Sequence, residues 1–316
     1  MSNFWEKLKK PIFVLAPMAD VTDCAFRQII AKYGKPDIFF TEFVSADGLA
    51  HLGAREKLLI DLKFSENEHP IVAQIFGGKP ENIKKATELC RELGFDGIDI
   101  NMGCPDRSIE KQCAGAGMIK NPELAEEVIR AAKASAGGLP VSVKTRIGYN
   151  VLDEKWIRAL LKENLAALTI HLRTRKEMSA VPAHWEYMKR IVELRDEISP
   201  ETLIIGNGDA VDLEDAEQKV KETGCDGVML GRAIFGNPFL FSKKIPTLKQ
   251  KLEVMTEHTK LFEKKLGKYK NFAIMKKHYK AYVNGFDGAK ELRMKLMETK
   301  NAAEVENITN DFLKNI

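Results

Sequence analysis

No apolar run in this 316-residue chain approaches the length of a membrane span, which excludes a hydrophobic spanning helix. Residues 1–10 lack the apolar core of a signal peptide, so export is not expected and residence in the cytoplasm is. Cysteine is scarce. Cys24, Cys90, Cys104, Cys113 and Cys225 are too few and too scattered for a disulfide framework, and no pair has zinc-finger spacing. Reduced thiols and no metal are therefore expected. No solenoid repeat and no low-complexity segment occurs, and nothing points to an obligate protein partner. No Gly-x-Gly-x-x-Gly follows the first apolar run, which argues against an open doubly wound dinucleotide fold.

What remains is the composition of an ordinary soluble enzyme, with 44% hydrophobic and 30% charged residues. The net charge of +4 is unevenly spread. Residues 243–316 hold 17 Lys and Arg against 9 Asp and Glu, a net of +8, and residues 1–242 hold 32 against 36, a net of −4. An acidic body with a basic tail fits either a polyanion bound through the tail or a solvated lysine-rich surface.

Apolar, β-branched runs recur at 12–15, 38–43, 71–76, 97–100, 141–144, 167–171, 203–205 and 227–230. Segments of helical period lie between most of them, at 24–33, 82–93, 122–134, 154–164, 185–194 and 213–223. Strands alternating with helices read as parallel βαβ units, and eight of them as a closed (β/α)₈ TIM barrel, an α/β fold. The crossover over 46–62 is the least regular. Past Pro246 the strand pattern stops and long helical stretches take over. The expected division is a barrel over 1–242 and a small all-helical unit over 243–316.

Chemistry gathers at the carboxyl ends of barrel strands. There the sequence places Pro17 and Met18, then Thr41 and Glu42, Gln74, Asn101 with Cys104, Lys144 with Arg146, His171 with Arg173, Asn207-Gly208-Asp209 and Gly231-Arg232. A Gly-Cys-Pro turn after a buried strand puts the Cys104 thiol at the mouth of the fold. Glycine turns at 208 and 231 form an anion site, with Arg232 as counter-charge. Lys144 is an inward ammonium that needs an anion. It could form a Schiff base, but Gln74 and His171 beside it suit the pyrimidine edge of a flavin, which becomes anionic on reduction.

These residues resemble the tRNA-dihydrouridine synthase family. The matching pieces run in order from Ala16-Pro17-Met18-Ala19-Asp20 through Gln74-Ile75-Phe76-Gly77 and Asn101-Met102-Gly103-Cys104-Pro105. They continue through Lys144-Thr145-Arg146, His171, Gly206-Asn207-Gly208-Asp209 and Gly231-Arg232 to Met275–Lys280 and Arg293 in the tail. The resemblance implies an FMN-dependent barrel with a helical tRNA-binding unit. It implies reduction of the C5–C6 double bond of a tRNA uridine, with NADPH reducing the flavin. It makes Cys104 the proton donor to C5. Pro17, Met18, Gln74, Lys144, His171, Asn207, Gly208, Asp209, Gly231 and Arg232 would hold FMN. Asn101 would hold the uracil edge, Arg173 would touch cofactor or RNA, and Lys276, Lys277, Lys280 and Arg293 would grip tRNA phosphates. Tyr279 and Tyr282 either stack or pack. Cys113 and His184 depart from the family pattern. The other reading is a flavin barrel acting on a free small molecule, similar to dihydroorotate dehydrogenase, and a third is an RNA-binding protein without turnover.

Overall fold

The structure, a computed structural model, describes residues 3–315. Nine strands form one parallel sheet: β1 (Ile12–Leu15), β2 (Phe39–Phe40), β3 (Val44–Ser45), β4 (Ile71–Phe76), β5 (Gly97–Met102), β6 (Val141–Arg146), β7 (Ala167–His171), β8 (Leu203–Asn207) and β9 (Gly227–Leu230). The order is β1-β9-β8-β7-β6-β5-β4-β2, with β3 also on β4. A parallel bridge between Val14 and Ile38 joins β1 to the start of β2 and nearly closes the ring. This is a TIM-like α/β barrel, as the alternation of strands and helices requires.

Of the run 38–43, expected as one strand, only Phe39–Phe40 is strand, and a second short strand begins just past it at Val44. Phe40 pairs with Val72 and Val44 with Ile75, so four steps on one side answer three on the other. This extra residue makes a bulge. The Thr41 hydroxyl fills the gap by accepting from the Gln74 backbone N–H at 3.0 Å. Two short helices, Ala46–Ala50 and Leu52–Leu58, account for the irregular crossover that follows.

The barrel interior changes character along its axis. Ile12, Val14, Ile38, Phe40, Val72, Ala167, Ile205 and Met229 form a buried apolar cluster closed by Trp5. Side chains on one face of a strand recur every second residue. Continuing that face carries the chain from Val72 to Gln74, from Ala167 to Thr169 and His171, and from Ile205 to Asn207. The apolar floor thus becomes a polar mouth.

After β9 and two short 3₁₀ turns, the described residues form four α-helices, Leu248–Leu266, Ile274–Tyr282, Ala289–Glu298 and Ala302–Lys314. The first starts from a capping box, in which Thr247 accepts from the Gln250 N–H and Gln250 accepts from the Thr247 N–H. Their apolar faces share one core with Cys24, Ala25 and Ile29 of the barrel helix Cys24–Tyr33. Tyr279 and Tyr282 are fully buried in that core, so both pack and neither is free to stack on a base.

Candidate active site

A cavity of about 700 Å³ opens at the carboxyl ends of β1 and β6 to β9. Pro17, Met18, Lys144, His171, Asn207, Gly208, Asp209, Gly231 and Arg232 line it. Arg173, expected to touch cofactor or RNA, lines it too, as do Ala16, Ser179 and Met229, which the sequence does not single out for the cofactor. Gln74 does not.

Gly208 has a backbone φ of +133°, and a Cβ there would lie 2.7 Å from the Ala183 Cβ. Only glycine fits this turn. Asp209 follows, itself with positive φ. Its carboxylate accepts from Arg173 Nη2 at 2.7 and 2.5 Å, from the Ala183 N–H at 2.8 Å, and closely from Arg232. Burial works against the charge, but these donors, Arg173 first, hold the carboxyl below its ordinary value. Asp209 is therefore an anchor for two guanidinium groups. Arg173 is almost fully buried and belongs to the cavity wall.

Arg173 Nη1 lies 3.0 Å from His171 Nε2. An arginine can only donate, so Nε2 accepts and the proton sits on Nδ1. Burial, then the charges of Lys144, Arg146, Arg173 and Arg232, push the imidazole down to about 2. His171 is neutral at any physiological pH. Burial, then Arg146, pushes the Lys144 ammonium down to about 8, with Asp99 and Cys104 opposing.

Cys104 lies beyond the end of β5, where Asn101 pairs in register with Lys144. It is half-buried, whereas Cys113 is exposed. Asn101 Oδ1 accepts from the Gly103 and Cys104 N–H groups at 3.1 and 2.9 Å. Gly115, at φ +57°, packs behind this turn: a Cβ there would meet the Cys104 carbonyl at 2.7 Å. Arg146 donates to the Gly103 carbonyl at 2.8 Å from Nε and to the Thr174 and Met178 carbonyls from Nη1. Burial holds the Cys104 thiol above its ordinary value.

Gln74 is fully buried below the mouth, bonded to Asp99 and Asn101. Sequence reasoning gave no role to Asp99 or Arg146. Both were legible as charged residues on the inward face of a buried strand, at the period-two positions shared with Asn101 and Lys144. His184 bonds Glu177 and Glu186 at 3.0 Å each, outside the cavity lining. In the tail, Lys277 and Lys280 are exposed and Lys276 is half-buried. Arg293 is half-buried and donates to the Val283 carbonyl at 3.0 Å, so part of its guanidinium is spent within the fold. Among the described residues no cluster of potential metal ligands occurs, and no helix is long and apolar enough to cross a membrane.

Comparison with known proteins places these features in company. The family model described as dihydrouridine synthase matches residues 14–316. A probable tRNA-dihydrouridine synthase of Staphylococcus aureus is 45% identical over 315 residues, covering 98% of this chain and 95% of that protein. Probable tRNA-dihydrouridine synthase 2 of Bacillus subtilis is also 45% identical, over 98% and 96%. Among solved structures, morphinone reductase superposes with a TM-score of 0.53 at 14% identity, over 73% of this chain and 84% of that one. A variant of NCR from Zymomonas mobilis gives 0.53 at 17% identity, over 78% and 92%. These two likenesses speak for the barrel fold alone.

Proposed function

The chain belongs to the dihydrouridine synthase family, and from that premise we propose that it reduces a uridine of tRNA to 5,6-dihydrouridine, using FMN and NADPH. The observation that carries this reading is the conjunction at one barrel end. A thiol held at the tip of β5 adjoins the strand whose Lys144 faces a cationic, glycine-backed cavity.

The residues fit FMN. The cavity has room for it, Gly208 lets an anion approach the backbone, and Arg232 and Arg173 supply positive charge around it. Lys144 would stand over the edge that becomes anionic on reduction. His171, neutral, would offer its Nδ1–H. Pro17 and Met18 would flank the ring, and Asn207, Gly208, Asp209, Gly231 and Arg232 would surround the phosphate. When bound, FMN supplies the hydride that C6 of the uracil ring requires, and NADPH restores it.

The proton that C5 requires comes from the Cys104 thiol, which is left as thiolate and regains a proton from solvent. The donor must be protonated at neutral pH, and burial of the thiol serves that. Asn101 keeps one Nδ2–H for the uracil edge, because its carbonyl and its other N–H are already engaged. A stacked uridine must leave its stack to reach the barrel mouth. We assign the grip on the surrounding phosphates to residues 243–316, through Lys276, Lys277, Lys280 and the free part of Arg293. A barrel acting on a free small molecule leaves the basic helices without a purpose.

The test is anaerobic. The reduced holoenzyme is mixed with unmodified tRNA, and separately with uracil and orotate, while flavin absorbance is followed. Reoxidation by tRNA alone, with dihydrouridine in the product, is expected. Reoxidation by a small molecule alone would overturn the assignment of tRNA. Cys104→Ala should slow the step by about 10²–10⁴-fold.

A further inference from the structure

Behind the Cys104 turn lies a row of buried polar groups of which the proposed chemistry uses only Asn101. Asp99 is completely buried. Its Oδ2 accepts from Gln74 Nε2 at 2.7 Å and its Oδ1 from the Ser142 hydroxyl at 2.6 Å. Gln74 Oε1 in turn accepts from Asn101 Nδ2 at 3.0 Å. Asn101 Oδ1 then accepts from the backbone N–H groups of Gly103 and Cys104. The row therefore ends on the two peptide groups that present the thiol.

The direction of this row is set at one end. An amide side chain can face either way, and its partners decide which. A carboxylate can only accept, so it draws the NH₂ end of Gln74 toward itself. Gln74 must then offer its carbonyl to Asn101, and Asn101 must offer its carbonyl to the Cys104 turn. We infer that Asp99 is a positioning residue for the Cys104 loop, acting through the series Gln74 and Asn101. Its consequence for proton transfer rests on Cys104 being the donor proposed above. The burial that makes each link costly to break also fixes the sequence of links. Asp99 carries the cost: burial pushes its carboxyl up to about 6, while Ser142, Gln74 and the Lys144 charge pull it down.

The substitution Asp99→Asn keeps shape and alters direction. The Ser142 hydroxyl has only the Ile98 carbonyl, at 3.4 Å, as another acceptor, so an asparagine keeps its carbonyl on Ser142, donates its NH₂ to Gln74 Oε1, turns that amide round, and sets NH₂ against NH₂ at Asn101. The double substitution Asp99→Asn with Gln74→Glu restores the sense of the row. The glutamate accepts from both neighbouring NH₂ groups, so Asn101 again faces the turn with its carbonyl.

The experiment measures iodoacetamide alkylation of Cys104 in the purified full-length holoenzymes, by peptide mass spectrometry that separates Cys104 from Cys113. Single-turnover flavin oxidation by tRNA and flavin reduction by NADPH are followed alongside. In Asp99→Asn, Cys104 alkylation should rise several-fold. Oxidation by tRNA should fall by about 10- to 100-fold, the cost of a donor displaced by an ångström. Reduction by NADPH should hold. The double variant should return alkylation toward the native rate. Native alkylation and native oxidation in Asp99→Asn would overturn the inference, and so would a double variant as altered as the single one. If Asp99→Asn does not fold, the double variant decides by itself: native alkylation supports the row, and altered alkylation refutes it. The alkylation rates do not depend on Cys104 giving a proton, whereas a fully active Cys104→Ala would remove the donor assignment and leave them untouched.

Discussion

Lys270 Nζ lies 2.9 Å from Glu42 Oε2, joining the loop between two tail helices to the rim of the barrel. Asp61 Oδ1 sits 2.8 Å away as an ion pair without hydrogen-bond alignment. Glu42 also accepts closely from the Asp20 N–H, next to the Met18 segment that lines the cavity. Burial works against the ammonium, but Glu42 and Asp61 outweigh it and hold Lys270 above its ordinary value. Burial pushes the Glu42 carboxyl up against the pull of Lys270. Lys270→Met leaves Glu42 buried without its partner and should cost about 3 kcal/mol. Urea unfolding measures this; a loss below about 0.5 kcal/mol would mean that solvent replaces the ammonium freely.

The tail core should also make the protein acid-labile. His258 and His278 are fully buried with no hydrogen-bond partner on either ring nitrogen, and their centroids lie 4.7 Å apart against Phe26. Burial drives His278 down to about 3 and His258 well below its ordinary value. The folded-state values are depressed, so the stability held above the unfolded value near 6.5 is lost as pH falls below it. The slope is about 1.4 kcal/mol per pH unit for each ring. Urea midpoints from pH 7 to pH 5 should fall accordingly, and His278→Phe should flatten the dependence. An unchanged slope in that variant would locate the acid sensitivity elsewhere.

Arg146 ties the Cys104 turn to the loop after β7 through three carbonyls. Arg146→Lys keeps the charge and loses the planar fork. Uridine reduction should drop by roughly tenfold or more, as expected when a reacting group is misplaced, while FMN content stays native. Loss of FMN on purification would show that the guanidinium serves the cofactor site instead.

If FMN binds as proposed, burial of Lys144, which pushes its ammonium down to about 8, should make that binding pH-dependent. The ammonium is present below pH 8 and disappears above it, so affinity for an anionic ligand should weaken as pH rises past 8. Fluorescence titration of the apoprotein with FMN from pH 6.5 to 9.5 reads this directly. Lys144→Met should bind more weakly and without that dependence; a parallel decline in both proteins would assign it to another group.

The barrel was legible because its interior strands are short, β-branched runs bounded by turns, and most expected spans fall within two residues of those observed. The exception, 38–43, failed because a side-chain hydroxyl replaces a backbone acceptor, which no hydropathy pattern encodes. The cavity wall was legible for a related reason, since polar residues at strand ends have few packing explanations. The partners of those residues were not. Gln74 faces Asp99 and not the cavity, and Arg173 faces Asp209. Both outcomes depend on neighbours brought together from distant parts of the chain. The lysines of 276–280 were visible as charge, but the burial of His278 and Tyr279 between them required the fold of the tail.

Those lysines offer the sharpest separation of binding from chemistry. Lys277 and Lys280 project from the helix Ile274–Tyr282 whose other face is buried, so changing them leaves the core intact. Each phosphate that a substitution frees should reduce the slope of log affinity against log salt by about 0.7–0.9. Lys277→Glu with Lys280→Glu should weaken tRNA binding at 0.1 M salt and flatten that slope, with FMN content and reduction by NADPH unchanged. Because phosphate contacts carry no sequence information, the weakening should be the same for every tRNA tested. Native affinity and slope in the double variant would show that this face of the helix is only solvated charge and would move the grip on tRNA to another surface.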